Sequence, residues 1–299
     1  MKIGFTLPQF GSAAGEARDV ARFAREVERL GADGLWVGDR LIDPVDPEVG
    51  YAGGDSIPEV FRSAADPFAL MSAAAAATER VDIGANVLVA PWYAPAVLAR
   101  TLTTIDQISG GRLLPGFGTG WSPEEYVAAG VPKAERGARL DECLDALDAL
   151  WTDNPAEYHG QHWTVPASHV DFKPVQRPRP PVYLAGFAPV AMRRVAHRAD
   201  GWLPAHVPES GAFDPSAVDG PMAKIREMAA DSGRDPQALR AVLRVYPMSP
   251  DSWDGVVDAI RRAEESTAVD HVFVETMNLA GTVDQGLETA ENVLRKVRG

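Results

Sequence analysis

VDIGANVLVAPWYAPAVLARTLTTIDQISGGRLLPGFGTGW, residues 81–121, reads as strand, helix and strand in direct succession. The apolar run 81–88 has strand length. A helix is predicted near 95–108, and a second apolar run follows at 112–118. Strands joined through a helix run parallel.

The same alternation extends to both ends of the chain. Residues 2–7 read as a strand. Residues 16–30 read as a helix, with Val20, Phe23, Ala24, Val27 and Leu30 on one face. Gly31 stops that helix, as a residue tolerant of positive φ does. A strand at 33–37 precedes a loop rich in Pro, Gly and Asp over roughly residues 40–60, and a helix lies near 66–78. Further along, a helix from about 135 to 151 precedes EYHGQHWTV, residues 157–165, which resembles a small hairpin insertion. KPVQRPRPP, residues 173–181, must be extended. Strands are predicted at 181–185, 200–203, 240–246 and 270–275, and helices at 188–198, 217–232, 251–265 and 283–297. These make eight strand–helix units, the pattern of a (β/α)₈ TIM barrel with loop insertions occupying 1–299 as one domain. ADGLW at 32–36 and ADGWL at 199–203 fall at equivalent points four units apart, as half-barrel symmetry would place them. A doubly wound open sheet wants Gly-x-Gly-x-x-Gly after the first strand, and Gln9-Phe10-Gly11-Ser12 does not supply it.

Composition narrows the class. With 29 basic and 42 acidic residues the formal charge is −13, which repels nucleic acid and anionic lipid. The single cysteine, Cys143, excludes an intrachain disulfide and fits a reducing cytoplasm. It lies among Leu140, Leu144 and Leu147 at helical spacing and reads as a buried core thiol. Met1-Lys2-Ile3-Gly4-Phe5 enters strand-like sequence directly, so no signal peptide is expected. The run Ala73–Ala77 is too short to span a membrane. The six histidines are scattered, and no metal site is expected. Of these only His206 stands near a strand end, where it reads as a loop histidine.

Barrel chemistry belongs on the loops after the strands. After the first strand, Gln9 and Phe10 offer an amide and a ring suited to a planar ligand, or a turn with a core aromatic. After the second, Gly38-Asp39-Arg40 places a charge pair where burial is costly, as a functional pair or a rim salt bridge. After the fourth, Gly116-Phe117-Gly118-Thr119-Gly120-Trp121 lets a ring or phosphate approach the backbone. After the fifth, Ala185-Gly186-Phe187 stands at a helix start, where free N–H groups favour an anion.

Together MKIGFTLPQFG, GADGLWVGDR, the stretch Ile83–Gly120 and PVYLAGFAPVAMRRVAHRADGWL resemble the bacterial luciferase-like family, and within it the branch dependent on the deazaflavin coenzyme F420. The resemblance implies a non-proline cis peptide at Asn86–Val87, forming a bulge behind the flavin-type ring. It places Asp39 near the ring's polar edge and Gly118, Thr119 and Gly120 along the ribityl chain. It gives the phosphate to the backbone of Gly186 and Phe187. Arg112 either contacts that phosphate or ties its own turn. Family sugar-phosphate dehydrogenases carry His and Glu where this chain has Arg40 and Trp121, so their acid–base pair is absent. Asp39 and Arg40 are the remaining catalytic candidates. Gln9, Phe10, Arg40, Trp92, Tyr93, Trp121 and Trp202 form a mostly aromatic candidate substrate rim, with Arg40 placed to orient a carboxylate or enolate oxygen.

The expected reaction is hydride transfer between the deazaflavin and a small hydrophobic or aromatic substrate. An FMNH₂-dependent monooxygenase and a non-catalytic cofactor-binding protein are the alternatives. A homodimer is implied by the resemblance alone.

Overall fold

The computed structural model describes the backbone of residues 1–299 and the side-chain surroundings of all but Gly53. The chain begins with strand β1 (Lys2–Thr6), helix α1 (Val20–Arg29), β2 (Gly34–Val37) and α2 (Pro67–Ala77). Strand β3 is split into Asp82–Ala85 and Leu88–Val89, and β4, after α3 (Pro95–Ser109), into Leu113–Leu114 and Gly116–Gly118. Helices α4 (Pro123–Ala128) and α5 (Arg136–Thr152) lead to the antiparallel hairpin β5 (Ala156–His159) and β6 (Thr164–Ser168), as expected for the insertion. The second half comprises β7 (Tyr183–Ala185), α6 (Pro189–Arg198), β8 (Gly201–Leu203 and Ala205–His206) and α7 (Ser216–Asp231). It ends with β9 (Arg240–Val245), α8 (Trp253–Ala263), β10 (Val269–Val274) and α9 (Val283–Arg298).

Every barrel strand pairs in parallel with two neighbours, in the ring β1-β2-β3-β4-β7-β8-β9-β10 and back to β1. The eight-stranded barrel is therefore closed. Outward residues such as Ile3, Phe5, Leu35 and Val37 pack under the helices in the main core. Inward residues Trp36, Tyr183, Leu203, Val242 and Phe273 fill the lumen. Trp36 stacks on Phe273 with centroids 4.6 Å apart. Room for its indole comes from Gly84, where a Cβ would stand 2.4 Å from the ring. The lower lumen is thus packed core, which leaves the upper mouth for chemistry. Cys143 is fully buried, which pushes its thiol up to about 12. It is the inert core thiol expected.

The two Ala-Asp-Gly motifs do the same work. Asp33 accepts the Ile3 N–H at 2.9 Å, and Asp200 accepts the Val182 N–H at 2.7 Å. Each motif thereby ties the entry of its strand to the strand before it. Two boundaries differ from the sequence reading. Residues Gly11–Asp19 form a 3-10 segment that buries only Ala13, so α1 begins at Val20 rather than 16. Helix α4 was not predicted, although Ser122 caps it and Pro123 opens it.

Arg112 corrects a site expectation. It precedes β4, at the end of the barrel opposite the mouth. Its guanidinium donates to the carbonyls of Ser109, Val81, Ala75 and Thr78 and to the Thr78 hydroxyl. It ties the α2–β3 and α3–β4 turns together and is not a phosphate ligand. Arg112→Met should lower stability by about 3 kcal/mol, since several buried carbonyls lose a charged donor. Urea denaturation would measure this, while affinity for a flavin-type cofactor should stay within about twofold.

Candidate active site at the barrel mouth

The site is organised by a mismatch between β3 and β4. Ile83 and Gly84 pair with Leu113 and Leu114, whereas Leu88 and Val89 pair with Phe117 and Gly118. From Ile83 to Leu88 is five residues; from Leu113 to Phe117 is four. The extra residue forms a bulge at Asn86–Val87, and that peptide bond is cis, as the resemblance implied. The neighbouring strand makes room for it. A Cβ on Gly116 would stand 2.0 Å from the Ala85 carbonyl oxygen, and one on Gly118 would stand 2.6 Å from Val87 Cγ2. A Cβ on Gly120, at φ +61°, would meet Val89 at 3.0 Å. Gly116 and Gly118 leave room for the bulged segment, and Gly120 for Val89 after it. On the Cβ side of Gly118 the space is taken by Val87.

Asp39 pins the far side of the bulge. Its Oδ2 accepts the Val89 N–H and the Tyr93 hydroxyl, each at 2.9 Å, and its buried Oδ1 has no partner. Burial raises its carboxyl to about 7, against the two hydrogen bonds that pull it down. Asn86 Nδ2 is likewise buried without a partner. Helix α6 starts with no side-chain cap, and Gly186 precedes it at φ +132°. Pro189, its first residue, has no N–H and the Ala191 N–H donates to the Ala188 carbonyl, so within the helix the Val190 N–H is the one left toward an anion, beside the backbone of Gly186 and Phe187. An unpaired amide, an unpaired carboxyl oxygen and an uncapped helix start fit the polar edge and phosphate of a flavin-type cofactor. Ala185 ends β7 beside them, and Phe187 is exposed. The Thr119 carbonyl accepts the Tyr126 hydroxyl.

Substrate candidates divide. Trp121 and Arg40 meet at the mouth, where the Arg40 guanidinium lies between the Phe61 ring at 5.0 Å and the Trp121 ring at 4.8 Å. Arg40 pairs with Glu125 at 3.3 Å and donates to the Ile42 carbonyl, while its Nη1 has no partner. Trp92 packs on Tyr126 with its Nε1 unpaired. Gln9 is corrected to a wall residue. Its amide nitrogen donates to Gly38 and Ala65 and its oxygen accepts from Gly38. Phe10 is buried against Phe61. Trp202 is also corrected. It points outward from β8, fully buried, and donates to the Gly186 carbonyl at 3.0 Å, so it braces the α6 start from behind. His206 faces Phe213 on the outside of the barrel, away from the mouth.

The sequence reading missed several mouth residues. Glu125 accepts from Leu41 N at 2.8 Å and neutralises Arg40. Arg244 and Tyr246 stand at the end of β9, and Tyr51 reaches in from the 40–60 loop to touch Phe61, Trp121 and Tyr246. The strand-end rule applied to β9 would have found Arg244 and Tyr246. Only the fold places Tyr51 and Glu125. Among the described residues no cluster of three or more His, Cys, Asp or Glu side chains is arranged to hold a metal ion. Among the described residues no helix is long and apolar enough to cross a membrane.

The architecture is a closed eight-stranded barrel with a bulged third strand behind a polar-edged mouth. The chain belongs to the luciferase-like monooxygenase family, whose model matches residues 1–297. It is 30% identical to an uncharacterised protein of Mycobacterium tuberculosis over 78% of each chain. It is 32% identical to an F420-dependent glucose-6-phosphate dehydrogenase of Amycolatopsis mediterranei, across 68% of this chain and 57% of that one. It is 30% identical to an FMNH₂-dependent dimethylsulfone monooxygenase of Pseudomonas putida, across 71% and 57%. The fold matches a monooxygenase of Streptomyces bottropensis (TM-score 0.77, 20% identity, 100% and 99% coverage). It also matches an F420-dependent secondary alcohol dehydrogenase holding an F420–acetone adduct (TM-score 0.73, 19% identity, 100% and 99%). The family thus contains both F420-dependent and FMNH₂-dependent enzymes.

Asp39 gives a pH signature. Its folded value, about 7, lies above the ordinary 3.8, so its contribution to stability is full below about 4 and lost as pH rises through 7. Asp39→Asn keeps the acceptor for Val89 and Tyr93 without ionising. Its thermal midpoint should therefore fall less than the wild type's between pH 5 and pH 8. Parallel curves for the two proteins would show that Asp39 does not titrate in this window.

Proposed function

We propose that this protein is a coenzyme F420-dependent oxidoreductase acting on a small hydrophobic or aromatic substrate. The observation that carries this reading is the bulge at Asn86–Val87, flanked by the unpaired Asn86 Nδ2 and Asp39 Oδ1. Val87 and Asn86 would back the ring, Asp39 would meet its polar edge, and the N–H groups of Gly186 and Phe187 would take a phosphate. A bound reduced deazaflavin supplies a hydride from C5. The protein's own contribution is to hold the substrate against the open face of the ring and to exclude water. Trp121 and Tyr51 supply apolar walls. Arg40 is clamped between two rings and neutralised by Glu125, so it keeps the mouth in shape and has little freedom to follow a substrate.

The second reading is an FMNH₂-dependent monooxygenase, supported by the similarity to the dimethylsulfone enzyme. Equilibrium binding to the purified apoprotein separates the two. Coenzyme F420 is expected to bind at micromolar concentration or tighter, and at least tenfold more tightly than FMN. The reverse order would transfer the assignment to the monooxygenase, and no binding of either would leave a barrel without this cofactor role.

A further inference from the structure

On the β9 side of the mouth, two donors are buried without partners. Arg244 donates from Nη2 to Glu275 Oε2 at 2.7 Å, yet its Nε is buried and unpaired. Tyr246, two residues on and on the same face of the strand, is 4% exposed with its hydroxyl unpaired. The two groups form one unit, with the guanidinium carbon 4.2 Å from the centre of the phenol ring. Glu275 is itself held by the Thr6 hydroxyl at 2.9 Å, which anchors the Arg244 guanidinium against the ring. Leaving two such donors unpaired in a protein interior is costly, each by about 1–3 kcal/mol. Among the described residues Arg244 Nε has no protein acceptor, and the Tyr246 hydroxyl has only the neighbouring Tyr51 phenol beside it.

We propose that Arg244 and Tyr246 form an oxygen-binding pocket for an uncharged carbonyl, which makes the substrate a ketone, an aldehyde or a conjugated carbonyl compound. The choice of a neutral oxygen follows from charge. Arg244 is compensated by Glu275 and, across the mouth, Arg40 by Glu125. A carboxylate would bring an uncompensated negative charge into this space, under a chain of net charge −13. A carbonyl oxygen accepts both hydrogen bonds without that penalty. The donors are then in place for the charge that the oxygen acquires only during reaction, the arrangement of an oxyanion hole. Burial and the neighbouring Tyr51 push the Tyr246 phenol up, which keeps it protonated as a donor.

This inference rests on the proposed redox reading, with the reduced cofactor as reductant. Its hydride adds to the carbonyl carbon or, in a conjugated compound, to the β carbon, whose C=C π pair moves to the bond beside the carbonyl carbon; the cofactor is left oxidised. The C=O π bond breaks and leaves its electron pair on oxygen. The proton comes from Tyr246 and is replaced from water.

The test uses protein loaded with oxidised cofactor, so that nothing turns over, and three ligands of similar shape: acetophenone, benzoate and ethylbenzene. Cofactor affinity is titrated first, so failure of the cofactor reading is seen separately; the ligand titrations are repeated on the apoprotein. Acetophenone should bind at least tenfold more tightly than either of the others. The infrared stretch of carbonyl-¹³C acetophenone should shift to lower frequency on binding. Tyr246→Phe should weaken acetophenone binding about tenfold, the loss of one buried hydrogen bond, and partly reverse the shift. It should leave ethylbenzene and cofactor affinity unchanged. Arg244→Lys should act in the same direction if it folds; Tyr246→Phe decides the matter if it does not. Equal acetophenone binding by Tyr246→Phe and wild type, or tighter binding of benzoate than of acetophenone, would overturn the proposal.

Discussion

The site depends on one packing constraint: β3 carries one more residue than β4 over the same span of their pairing. A closed barrel leaves no strand edge at which that residue can escape, so it is displaced at Asn86–Val87. Gly116 and Gly118, without side chains, leave room for the displaced backbone and Val87. Asp39 accepts the Val89 N–H immediately after the bulge and anchors it. The same constraint that shapes β4 therefore creates a fixed platform at the mouth and buries a carboxyl beside it.

The packed lower lumen supports this platform. Trp36 against Phe273, with Gly84 giving way to the indole, makes the floor rigid. Around the mouth, charge is present but balanced. Arg40 with Glu125 and Arg244 with Glu275 are buried or half-buried pairs, each with an aromatic ring against the guanidinium. Buried pairs of this kind contribute little net stability, because desolvation offsets the attraction. Their value is geometric: they hold hydrogen-bond donors at fixed positions without adding net charge.

The eight units, the strand ends and the hairpin were legible because they follow from apolar periodicity and glycine or proline punctuation, which are local properties. The two Ala-Asp-Gly motifs were legible as an echo, and their shared function is a single hydrogen bond to the preceding strand. Their final residues illustrate a finer rule. Leu35-Trp36 and Trp202-Leu203 appear in opposite order, so alternation sends Trp36 into the lumen and Trp202 to the outside. Trp202 could have been excluded from the substrate rim by counting that alternation. Gln9 could not, because its three hydrogen bonds come from residues 29 and 56 positions away.

Sequence by itself determined the barrel, through eight strand–helix units each written in local periodicity, and marked Gly186 at a helix start; the bulge after the third strand came from the family resemblance. Tertiary structure decided which polar atoms are satisfied. Arg112, prominent in sequence, spends its donors on turn carbonyls. Arg244, inconspicuous in sequence, gives Nη2 to Glu275 and keeps a buried Nε unpaired at the mouth, beside Tyr246. Hydrogen-bond satisfaction is a sum over neighbours from distant parts of the chain, and no local pattern records it.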